Sequence, residues 1–315
     1  MVKMAMKRWI FRIILIVCTI VPMAVPVRSS ATTIAAIMSS NQPRYREAHR
    51  AFVKSIAAQG YKVPSTEIIL HTPNSYPLSW GTEVRKLNSS RPDLIVTYGA
   101  PASLAAVREA AGIPVVSVDV FASEQPVKGL CGVSSRVSLV TLLNTLQGIR
   151  PYHRLGVLYA PREFGSQQQL DDVKKYATKL GITVLEGSVS SAAALDSELN
   201  KLLDKCEAVF VTEGGLFGQQ FDHIIARAKT RKIPIASTMP DAAEKGAIVS
   251  LEINPQEQGY LAAEMAVRIL EGAKTEFLPL IRPHRIDLVI NMRQAREIGI
   301  EVPFTVLRSA TRLIK

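Results

Sequence analysis

Cysteine, aromatic side chains and the common signatures of catalysis are all scarce in this 315-residue chain. Three cysteines, Cys18, Cys131 and Cys206, are too few for a disulfide scaffold. Cys131 and Cys206 each border an apolar run. That setting predicts buried free thiols, although an oxidising compartment would leave pairing open. Both cysteines precede predicted strands, which excludes a two-cysteine racemase site at the strands' carboxyl ends. No G-x-S-x-G elbow, strand-borne G-x-G-x-x-G or phosphate-loop lysine motif is present. The five histidines, His49, His71, His153, His223 and His284, include no i,i+4 pair and no metal-type spacing. The sequence therefore predicts no catalytic residue, no metal and no cofactor. It also contains no low-complexity tract.

Acidic residues are missing from the amino terminus. "MVKMAMKRWIFRIILIVCTIVPMAVPVRSSATT" sets Lys3, Lys7, Arg8 and Arg12 ahead of an apolar run that ends in small residues. That is the form of an export signal covering residues 1–31, cut between Ser29 and Thr32. An uncleaved anchor is the competing reading, but Ile13 to Val27 is short for a span and broken by Pro22 and Pro26. Val17 stands before Cys18, where a lipoprotein signal would have a small residue. Loss of the segment's five positive charges would lower the formal net charge from +11 to +6. The remaining Lys and Arg are scattered along polar helix faces, a pattern that predicts no nucleic-acid partner.

What is present is alternation. Short apolar runs, among them "TIAAIM", "EIIL", "LIVTY" and "VVSV", are separated by segments of helical period such as Tyr45, Ala48, Phe52 and Ile56. After a helix from Leu139 to Leu146 the series restarts with "LGVLY", "ITVLE" and "AVFVT" and closes on "IPIAS" and "GAIVSLEI". Two successive series at this length predict an α/β chain of two doubly wound parallel-sheet lobes.

Ligands of such sheets lie beyond the carboxyl ends of the strands, where helix N-termini point free N–H groups outward. The loops so placed contain Ser39, Ser40 and Asn41; Gly99, Ala100 and Ser103; Asp119 and Phe121; Phe164 and Ser166; Glu213, Gly214 and Phe217; and Thr238. Gly99 permits a sharp turn and Pro101 suits a first helical position, so this helix start is a candidate anion receptor. Ser166 reads as a helix N-cap whose hydroxyl is also available to a ligand. Glu213 and Asp119 end strands in opposite lobes and are candidates for a ligand ammonium; a solvated loop acid or a hinge salt bridge is the alternative. Tyr98, Phe121, Phe164 and Phe217 fit either an apolar ligand body or packing between the lobes.

Several segments resemble one family in order and spacing: "MSSNQPRYREAHRAF", "RPDLIVTYGAPASLAA", "IPVVSV", "RLGVLYAPREFGSQQQLDDVKKYATKLGI", "KIPIASTMPDAAEKGAIVS", "LAAEMAVRILEG" and "LVINMRQAREIGIEVP". From about Ile34 to its end the chain resembles the substrate-binding proteins of ATP-binding-cassette importers, in the group that includes tryptophan- and tyrosine-type binders. The resemblance implies a type I periplasmic-binding fold whose lobes close by a hinge on a small molecule. It implies lobe 1 at residues 32–135 plus about 255–282, and lobe 2 at 136–254 plus about 283–315. The departures fall on the ligand loops. The family's "GTPAA" is "GAPAS" here, "NPGEANS" is "APREFGS", "TDN" is "TEGG" with Glu213 in place of an amine-binding aspartate, and "TDP" is lost near Asp119. An aromatic amino acid is therefore not carried over as the ligand. Arg162, gained in "APREFGS", either pairs with an acidic ligand or faces solvent at the rim.

The expectation is a monomeric, non-enzymatic periplasmic solute-binding protein. Its partners would be a small-molecule ligand, such as an amino acid or an aromatic or apolar compound, and an ABC permease of the inner membrane. A sensory protein presenting its closed form to a membrane kinase or cyclase is the alternative. A DNA-binding regulator of this fold would need a helix-turn-helix where the export signal stands.

Overall fold

The computed structural model describes residues 31–74, 78–121 and 129–315. The export-signal and anchor readings, with Cys18, lie outside these residues. Two sheets are built in the unit that runs from Thr32 to Lys315.

The first sheet has the strand order β11-β5-β4-β3-β1-β2. Its strands are β1 (Thr32–Met38), β2 (Thr66–His71), β3 (Leu94–Tyr98), β4 (Val115–Val120), β5 (Gly132–Ser134) and β11 (Leu280–Ile281), all paired in parallel. Side chains of a strand alternate between faces, and β1 uses both. Ile34, Ala36 and Met38 pack under α1 (Pro43–Ala58) and α8 (Pro255–Leu270). Ala35 and Ile37 pack on the other face with residues of α2 (Ser79–Ser90) and α3 (Ala100–Glu109). A strand buried on both faces must be apolar throughout, which is why "TIAAIM" shows no alternation. Gly259 of α8 lets this helix lie against α1, because a Cβ there would overlap the Ala48 carbonyl oxygen.

The second sheet has the order β13-β12-β10-β9-β8-β6-β7. Its strands are β6 (Arg154–Tyr159), β7 (Thr183–Ser188), β8 (Ala208–Val211), β9 (Ile235–Ser237), β10 (Val249–Ile253), β12 (Ile286–Asn291) and β13 (Arg312–Ile314). Only the β10–β12 pairing is antiparallel. One face is covered by α4 (Leu139–Ile149), α5 (Phe164–Lys179), α9 (Met292–Glu297) and α10 (Phe304–Leu307). α6 (Ala192–Leu203) and α7 (Gly215–Thr230) cover the other.

The inner orders β2-β1-β3-β4 and β7-β6-β8-β9 are the same winding, so each sheet has its topological switch where its first strand meets its third. The chain passes between the sheets after β5, after β10 and after β11. Cys131 and Cys206 are free and buried in different cores, and burial pushes both thiols up to about 11. Two local readings are corrected. Helix α2 was not expected, yet Trp80, Val84 and Leu87 give it a buried stripe. Helix α5 opens at Phe164, which puts Ser166 inside the helix instead of at its cap.

Candidate ligand-binding site

The turns after β1, β3, β6, β8 and β9, with the end of β4, line one cavity of about 820 Å³ between the two sheets. Its most buried charged wall is formed by Arg44, Asp119 and Glu213. Arg44 belongs to the first turn of α1, and the guanidinium Nε lies 2.9 Å from Asp119 Oδ2. The N–H is not aimed at that oxygen, so neither atom makes a hydrogen bond in spite of the ion pair. Arg44 also donates to the Tyr45 hydroxyl at 3.0 Å and lies over the Tyr45 ring. Burial works against the charge of Arg44, but Asp119, Tyr45 and Glu213 more than offset it and hold the guanidinium charged. The same burial pushes the Tyr45 hydroxyl up to about 12.

Glu213 is only 8% exposed and stands two residues after the end of β8. Its carboxylate has the Ser135 hydroxyl at 3.5 Å from each oxygen, the outer limit of a hydrogen bond. Burial first, and Asp119 next, push the Glu213 carboxyl up to about 8, against the opposing pull of Arg44 and Ser135. Gly165 makes this placement possible: a Cβ there would lie 2.6 Å from Glu213 Oε1. The backbone N–H of Glu213 donates to Gln169 Oε1 at 2.8 Å, and Gln169 Nε2 donates to Thr238 Oγ1 at 2.8 Å. Two acids therefore face one guanidinium at low exposure. If both acids ionise, one positive charge is missing.

Of the residues singled out in the sequence, Ser39, Ser40, Asn41, Ala100, Asp119, Phe164, Ser166, Glu213 and Gly214 line the cavity. Thr238 lines a small adjoining recess with Arg44, Asp119, Ser135, Glu213 and Gln258. Gly99, Ser103, Phe121 and Phe217 are outside the cavity wall. Gly99 turns at φ 89°, and a Cβ there would overlap the Tyr45 hydroxyl. Ser103 is wholly buried, bonded to Thr97 and to the Gly99 carbonyl. Phe121 and Phe217 are wholly buried in the second lobe's two cores. Phe164 reaches from the second lobe onto Ala100, Val120 and Leu130 of the first. Ser166 accepts from Ala160 N at 2.7 Å and shares a 2.6 Å bond with Thr212 Oγ1, so its hydroxyl is already engaged.

The helix starts also differ from expectation. At α3 the Ala102 N–H donates to Ser39 Oγ at 3.0 Å, Pro101 has no N–H, and Ser103 N bonds to Gly99 O. At α7 the Glu163 carboxylate accepts from Gly215 N at 2.8 Å and Leu216 N at 3.2 Å. Residues of the chain itself thus occupy these four N–H groups at the starts of α3 and α7.

Sequence reasoning missed Arg44, Tyr45 and Trp80 on the wall. Arg44 lies three residues beyond Asn41, after Pro43, in the first helical turn and so past the strand-end loop. Trp80 went unread along with α2. Among the described residues no group of His, Cys, Asp and Glu is placed to hold a metal ion, and no helix is long and apolar enough to cross a membrane.

Two parallel-sheet lobes enclosing one cavity at their strand ends define the type I periplasmic-binding architecture. The family model described as ABC transporter substrate binding protein matches residues 33–314, and the chain belongs to that family of solute-binding proteins. A tyrosine-binding protein of Clostridioides difficile (strain R20291) is 24% identical over 261 residues, covering 79% of this chain and 75% of that relative. Among solved structures, the ABC domain of Streptococcus pneumoniae in complex with L-Trp superposes with a TM-score of 0.83 at 23% identity, covering 90% of this chain and all of that one. A ligand-free, open substrate-binding protein with adhesive properties from Clostridium difficile gives 0.70 at 24% identity, covering 90% and 99%.

Proposed function

We propose that this protein captures an amine-bearing small molecule in the cavity between its lobes, outside the cytoplasmic membrane, and delivers it to the permease of an ABC importer. The family supports the transport role. The observation that carries the choice of ligand chemistry is the buried Glu213 carboxyl beside Asp119, with Arg44 as the single cation at that wall among the described residues. A ligand ammonium would supply the missing charge and draw Glu213 into its ionised form, making a charge-assisted pair in a site of low exposure. Closure then needs no chemistry, only a ligand that binds the closed arrangement better than the open one. Phe164 packs across the cleft on Ala100, Val120 and Leu130, so apolar contact would contribute to closure alongside the ligand.

The test is a thermal-shift screen of the purified protein against amino acids, nucleosides, small acids and aromatic compounds. Hits should concentrate among primary amines, and the N-acetylated form of each hit should give no shift. Hits confined to neutral or anionic compounds would contradict the proposal.

A further inference from the structure

Resting on the reading of the cavity as a solute site, we propose that the solute is an extended zwitterion of dipeptide length. Its amino end would lie against Glu213 and Asp119, and its carboxylate at the cavity mouth against Arg162 and Lys245.

Three observations support this. The first is room. A cavity of about 820 Å³ admits a molecule longer than a single amino acid, such as a dipeptide of about 17 non-hydrogen atoms.

The second is that several candidate carboxylate receptors near the amine end are already engaged. In an α-amino acid the carboxylate is one carbon from the ammonium, and here it would lie next to two acids. Arg44 is already engaged by Asp119 and the Tyr45 hydroxyl. At α3 the Ala102 and Ser103 N–H groups are taken by Ser39 and Gly99, and at α7 those of Gly215 and Leu216 by Glu163.

The third is the charge layout. Arg162 and Lys245 line the same cavity and are exposed, and their side chains have no ion-pair or hydrogen-bond partner among the described residues. Arg108 is a further exposed cation of the wall, bonded to Glu109. Against these cations Asp241 is the exposed acid of the lining, Glu163 being bound to α7. The wall therefore sets two carboxyls against one guanidinium where it is buried and is positive where it meets solvent. An amine-first zwitterion with separated charges complements that gradient. Trp80, Tyr45, Leu104, Phe164 and Phe221 line the same cavity and offer apolar surface for the body of the molecule.

Calorimetric titration of the purified protein distinguishes the possibilities. The probes are L-phenylalanyl-L-alanine, its N-acetyl and C-terminal amide forms, 6-aminohexanoate, and free L-phenylalanine and L-tyrosine. The dipeptide or 6-aminohexanoate is expected to bind more tightly than either free α-amino acid, and the two separate a peptide source from an ω-amino acid. N-acetylation should weaken binding on the order of a hundredfold or more, because it leaves a buried acid without its cation. Amidation should weaken it roughly fivefold in a salt-dependent way, since the partners at the mouth are exposed. The double variant R162Q/K245Q should lose that fivefold for the free dipeptide and bind the amide as the wild type does. The proposal is overturned if a free α-amino acid binds best, if amidation has no effect, or if none of these probes binds at millimolar concentration. In the last case a hit from the broader screen would leave the solute-binding reading standing, and silence in both would remove both.

Discussion

Glu213 concentrates the physics of the site at the scale of one residue. In the unfolded chain its carboxyl titrates in the ordinary range, and in the native protein near 8. Below the ordinary range both states hold the proton, and the stabilisation is fully present. Between the two values the native state keeps a proton that the unfolded chain has lost, so stability falls as pH rises and levels off beyond about 8. Glu213→Gln has no proton to lose. The variant should flatten the ligand-free melting curve between pH 5 and 8 and raise the melting temperature at the alkaline end by roughly 2–4 °C, about 1 kcal/mol for a chain of this size. A wild-type curve as flat as the variant's would contradict the assignment. The acids themselves were legible, because Glu213 and Asp119 end strands whose direction the βα alternation fixes. Their neighbour Arg44 was not, because which helix start faces which strand end is decided by tertiary packing. The hydroxyl of Ser166 illustrates the opposite error: its residue type suits a cap, yet the helix begins two residues earlier and the hydroxyl turns inward to Thr212.

At the scale of elements, strand positions were read to within a few residues because buried parallel strands are continuous apolar runs. Helix α2 escaped, since its stripe of Trp80, Val84 and Leu87 is diluted by Ser79, Thr82, Lys86, Asn88 and Ser89. Two helix contacts carry predictions. Gly259→Val would drive a side chain into the α1 backbone, and the expected cost of about 2 kcal/mol or more appears as a melting temperature lower by roughly 4–8 °C. Differential scanning calorimetry measures it, and an unchanged transition would mean that α8 does not lie so close. Phe164→Ala removes an aromatic that bridges from α5 to Ala100, Val120 and Leu130. Its effect belongs to closure more than to folding. Ligand dissociation, followed by stopped-flow fluorescence, should quicken by about tenfold, equivalent to about 1.4 kcal/mol, while the melting temperature of the ligand-free protein moves little.

At the scale of the whole molecule, the echo between "DLIVTYGAPASLAAVREAAGIPVV" and "EAVFVTEGGLFGQQFDHIIARAKTRKIPIA" marks equivalent steps of two sheets wound in the same order. Both steps end at the same cavity with different chemistry. One contributes Ala100 and a helix start closed by Ser39, the other an acid and a helix start closed by Glu163. The repeat and the architecture could be read from the sequence because they depend on periodicity. The site's charge balance could not, because it depends on which side chains meet across the cleft. The claim that most depends on that meeting is the ammonium clamp. Calorimetric titration of an amine-bearing hit into the wild-type protein and into Glu213→Ala tests it directly. The account predicts that affinity falls on the order of a hundredfold in the variant, and equal affinity in the two proteins would contradict it.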